Sequence, residues 1–76
     1  MPRYYFHIRD ANGISRDEEG TELPDLEAAR REAGASARDL IADAMKSRKR
    51  VTDQMLEIMD EHGTLIETMP VRNSLV

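Results

Sequence analysis

A period of two runs through Tyr4 to Arg9. Tyr4, Phe6 and Ile8 fall on one face of an extended segment, and Tyr5, His7 and Arg9 fall on the other. Asp10-Ala11-Asn12-Gly13 then supplies a turn, since Asn and Gly tolerate the positive φ of tight hairpins. A short returning strand is predicted over Ile14 to Asp17, followed by an irregular link with Gly20 as its bend. The acidic Glu18 and Glu19 sit poorly in a sheet interior.

The period then changes. Leu26, Ala29, Ala33, Ala37, Leu40, Ile41 and Ala44 recur at spacings of three and four, one stripe of an amphipathic helix. Pro24 and Asp25 mark its start, with Asp25 the predicted N-cap, and its end is expected between Lys46 and Arg50. Alanines in the stripe let the helix approach a sheet closely but bury less apolar area than leucines would. Gly34 costs such a helix about 1 kcal/mol relative to alanine.

A second hairpin follows, with Met55 to Asp60 and Thr64 to Val71 flanking a turn at Glu61-His62-Gly63. Leu56 and Ile58 share a face, as do Leu65, Met69 and Val71. A two-residue loop would pair Leu56 with Met69 and Ile58 with Glu67, leaving Glu67 near the rim of the core. A three-residue loop would pair Ile58 with Ile66 but set Glu57 against Glu67, which repel. The first register is preferred on that ground. Residues 1–72 are expected to form one small domain and 73–76 a frayed tail.

The fold class that follows is α+β, in the order ββαββ: a four-stranded antiparallel sheet with one helix packed across one face. The pattern leaves the strand order open. A helix covering Phe6, Ile8, Leu56 and Ile58 leaves Tyr5, Met55, Met59 and Ile66 on the other face, which is more apolar than solvent needs.

Composition sharpens this picture. With 76 residues, no cysteine, no tryptophan and three aromatic residues in all, no disulfide can staple the fold and the core must rely on aliphatic side chains. Domains of this size gain readily from self-association, so a homodimer is one expectation and an unidentified protein partner the other. No apolar run is long enough to span a bilayer and no secretory signal is evident, which makes a cytoplasmic location the default. A formal net charge of −4 argues against non-specific nucleic-acid binding.

Candidate chemistry is sparse. His7, on the face opposite Phe6, reads as a solvated or interface histidine, and His62 as a turn residue. Two distant histidines without cysteine do not make a zinc signature. Asp10, Asn12, Asp17, Glu18 and Glu19 fail the calcium-loop spacing because Ile14 sits where an oxygen ligand is needed. Turn chemistry explains the first two, and proximity to the helix N-terminus would explain the acidic run. Lys46, Arg48, Lys49 and Arg50 form a candidate phosphate or nucleic-acid patch, although cations also complement a helix C-terminus. Glu27 is spaced to pair with Arg30 and Arg31. No phosphate loop or nucleophile–base arrangement is present in the sequence, so no cofactor, metal or catalytic residue is expected, and the protein reads as a non-enzyme.

The opening Met1-Pro2-Arg3-Tyr4-Tyr5-Phe6-His7 resembles an uncharacterised family of short bacterial proteins, common in rhizobial-type α-proteobacteria. So do the run from Arg16 to Arg30 and the Asp60-Glu61-His62-Gly63 turn followed by Pro70. The resemblance spans nearly the whole chain and implies a family label without an activity. Glu67 departs from the family pattern, which places an aliphatic residue there. At the level of topology the chain is also similar to antitoxin domains of the HicB type, by analogy only. Two functions are therefore expected: an interaction module acting through Tyr5, His7, Met55, Met59 and Ile66, or a nucleic-acid-linked, antitoxin-like regulator acting through the basic cluster.

Overall fold

The computed structural model describes residues 1–47 and 53–72. Five strands and one helix follow in chain order: β1 (Arg3–Asp10), β2 (Gly13–Ser15), β3 (Thr21–Glu22), α1 (Leu26–Ser47), β4 (Met55–Met59) and β5 (Leu65–Pro70). The architecture is α+β, with an antiparallel sheet ordered β2-β1-β4-β5 and β3 paired with β1. The expected four strands become five because the returning arm of the first hairpin is interrupted. β2 pairs Ile8 with Ser15, and β3 pairs Tyr4 with Thr21. Residues 16–20, five in number, thus lie opposite residues 5–7, three in number. Two residues too many must leave the plane of the sheet. Thr21 and Glu22 tolerate strand geometry because both are exposed on its rim, where Glu22 reaches Arg3 at 3.1 Å.

α1 begins as its sequence predicts. Asp25 Oδ1 accepts from the Ala28 N–H at 2.8 Å, and the Asp25 carbonyl accepts the first helical bond from Ala29. Ala29, Ala33, Ala37 and Ile41 pack on Tyr4, Leu56, Ile58 and Val71, with Phe6, Leu26, Leu40 and Met69 at the margin. The alanine stripe brings the helix close to β4 but covers the sheet incompletely. Ile8, expected in the core, stays half-buried beside a trough shared with Phe6 and Leu40. Gly34 is no site of close packing, since only the Arg38 side chain lies near it.

The second hairpin combines both loop lengths weighed from the sequence. Asp60 N–H donates to the Thr64 carbonyl across a three-residue loop, while Leu56 faces Met69 and Ile58 faces Glu67. A β-bulge reconciles the two: Met59 pairs with Leu65, and Ile66 is the extra residue. The bulge corrects two expectations at once. Leu65 no longer shares a face with Met69 and Val71, and it takes the place opposite Met59 that Ile66 was expected to hold. Glu67 comes to lie toward the helix at the edge of the core, where Arg30 Nε donates to its Oε1 at 3.0 Å. Residues 73–76, expected to fray, lie outside the described residues.

Candidate functional site

The side chains of β1 and β4 that point away from α1 come together by cross-strand pairing. Tyr5 faces Met59, His7 faces Glu57 and Arg9 faces Met55. Arg9 Nε donates to Glu57 Oε2 at 2.9 Å, which neutralises the middle of the face. Leu65 extends the row beyond Met59 through the bulge. Of the expected interface residues, Tyr5, Met55 and Met59 are half-buried on this face, and Ile66 stands at the bulge with 36% of its surface exposed.

The face is not bare, as the sequence suggests, because the excess of the 16–20 link folds across it. Asp17 fastens the crossing. Its Oδ2 accepts from the Phe6 N–H at 3.2 Å, filling the gap in the ladder between β2 and β3, and its Oδ1 accepts from Gly20 N–H at 3.1 Å. Arg3 Nη1 holds the Glu19 carbonyl at 2.8 Å. Gly20 has φ +71°, and a Cβ there would stand 2.8 Å from Tyr5 Cε2, so only glycine fits this crossing. Of the acidic run, the Asp17 carboxylate therefore serves the sheet edge, and Glu27 is the acidic residue of the first turn of the helix.

His7 is the residue most changed by this cover. Expected to be solvated or at an interface, it is 8% exposed. The Asp17 N–H donates to its Nδ1 at 3.0 Å, so in the neutral ring the proton sits on Nε2. Tyr5 lies beside it, ring centroids 6.4 Å apart. Nothing in the sequence spacing signalled the contact, because it depends on the two-residue excess of the link.

Between the link and the β4–β5 turn lies an open trough of about 440 Å³. Tyr5, His7 and Met59 line it, with Arg16, Glu18 and Glu61 among the charged residues around it. The basic candidate patch contributes nothing to this site that can be described. Lys46 is exposed in the last turn of α1, and Arg48, Lys49 and Arg50 lie outside the described residues.

A family described as a domain of unknown function (DUF6894) matches residues 3–72. The chain belongs to that family. The match takes in all five strands and the helix, so the DUF6894 domain and the fold described here coincide. Membership assigns no specific activity. No curated protein and no solved structure matches the chain. Among the described residues of this DUF6894 domain, no helix is long and apolar enough to cross a membrane.

Proposed function

We propose that this chain is a small, non-enzymatic interaction module of the bacterial cytoplasm, and that the sheet face turned away from α1 receives a partner protein. One observation carries the reading. After the helix has covered the opposite face, a row of Tyr5, Met59 and Leu65 remains, with Leu65 49% exposed. Tyr5 and Met59 are half-buried and Leu65 is exposed beside them, and apolar side chains gathered in a row, not scattered singly, are what a docking surface presents. A non-catalytic role is supported by His7, whose Nδ1 is already engaged by a backbone N–H and so is not free to take a proton from a substrate.

A separate protein suits the face better than a second copy. Glu18, Asp60 and Glu61 stand around its open end against Arg16, and the chain carries a net charge of −4. Two such ends laid together would repel.

Site-specific photo-crosslinking in the cells that make the protein tests the assignment, with the crosslinker at Leu65 or, as control, at the exposed Arg38 of α1. A discrete hetero-crosslink from Leu65, absent from Arg38 and abolished by Met59→Glu, is expected, with the purified chain sedimenting as a monomer. Equal products from both positions, or none from Leu65, overturn the reading. A sedimenting dimer dispersed by Met59→Glu would give the face to a second copy instead.

A further inference from the structure

The trough between the 16–20 link and the β4–β5 turn combines three features that select one kind of occupant. Resting on the docking face proposed above, we infer that it takes an extended, cationic segment of the partner. In that arrangement a Lys or Arg side chain lies over Tyr5 and Met59, and a main-chain carbonyl of the segment meets His7.

His7 supplies the first feature. The residue as a whole is more than nine-tenths buried, and its Nδ1 is occupied by the Asp17 N–H. The Nε2–H has no hydrogen-bond partner among the described residues, although the ring lines the trough. The Nε2–H is accessible from the trough and can donate to an acceptor there, and a peptide carbonyl is the acceptor that any protein segment offers. Tyr5 and Met59 supply the second. They face each other across β1 and β4, giving an aromatic and thioether floor on which an alkyl stem or guanidinium can lie.

The third feature is which carboxylates around the trough remain free. Asp17 spends both oxygens on Phe6 and Gly20, and Asp60 Oδ1 already accepts from the His62 and Thr64 N–H groups. Glu18 has no such bond among the described residues, and Glu61 has only the exposed His62 at 3.9 Å. These two side chains are therefore available to a cation arriving from outside, against one lining cation, Arg16. The volume of about 440 Å³ lies within the usual range for ligand sites, which suits a long side chain with the peptide unit that carries it.

Fluorescence anisotropy of the full chain with three labelled nonapeptides, rich in arginine, lysine or glutamate, tests the inference. Both basic peptides are expected to bind, more weakly as salt rises, and to shift the His7 Nε2 resonance. The exposed double variant Glu18→Lys/Glu61→Lys, with unchanged circular dichroism, should bind them about tenfold more weakly. Binding of the glutamate peptide with equal strength, full binding by the double variant, or no binding of either basic peptide at low salt overturns it. If the Leu65 crosslink survives while the peptides fail, the cationic chemistry falls and the docking face stands. If the crosslink fails too, both fall.

Discussion

A methyl group meets different neighbours at Gly20 and at Gly34. At Gly20 it would lie 2.8 Å from Tyr5 Cε2, 2.9 Å from Arg3 Cγ and 3.0 Å from the Tyr4 carbonyl oxygen, in a left-handed conformation. Gly20→Ala should therefore destabilise the fold by about 1–3 kcal/mol and loosen the link over His7, as read by urea unfolding. At Gly34 it meets only Arg38 Nη1, at 3.5 Å, in ordinary helical backbone. Gly34→Ala should stabilise the protein by about 0.5–1 kcal/mol in the same experiment. Asp17 shows why single residues are harder to read than patterns. Its type and its acidic neighbours are plain in the sequence, yet its two acceptor bonds exist only because a ladder is interrupted beside it.

At the scale of elements, what could be read was what local chemistry determines. The N-cap at Asp25, the alanine stripe and the pairing of Leu56 with Met69 follow from residue type and spacing, and the structure carries all three. β3 and the bulge at Ile66 were not legible, because each is a count of residues against a partner strand and has no composition of its own. Glu67 belongs here as well. Its position opposite Ile58 turns it toward the helix, and Arg30 is what compensates it. An ion pair this accessible contributes little, about 0–1 kcal/mol, whereas an aliphatic side chain would add buried apolar area. Glu67→Ile should then raise the stability by about 1 kcal/mol in urea unfolding. A loss would mean that the Arg30 contact does more to seat α1 than its exposure suggests.

For the whole molecule, charge and layering decide more than any motif. The chain has a net charge of −4, and three of its described cations are paired with its own carboxylates: Arg3 with Glu22, Arg9 with Glu57, and Arg30 with Glu27 and Glu67. A gel shift at low salt with random duplex DNA or RNA should show no complex at micromolar protein. A complex that fades steeply with salt would instead return the basic cluster around Lys46 to consideration. Two layers around one core also explain why the helix-free face could be located from the sequence but its cover could not. Alternation assigns side chains to faces; only the path of the connecting chain decides what lies over them.

That path, with Pro70, has a further consequence for how this protein behaves when crowded. A sheet of this size ordinarily offers two open rims on which another strand could grow. On one, β2 and β3 occupy the outer side of β1 and the Asp17 carboxylate accepts the Phe6 N–H between them. On the other, the bulge interrupts β5 at Ile66, and the alternation set by the Val71-to-Gln54 bond turns Pro70 outward, where it has no N–H to give. Neither rim is a good template for fibrillar stacking. A small domain without disulfides can thus keep the proposed docking face available at high concentration without polymerising through its edges.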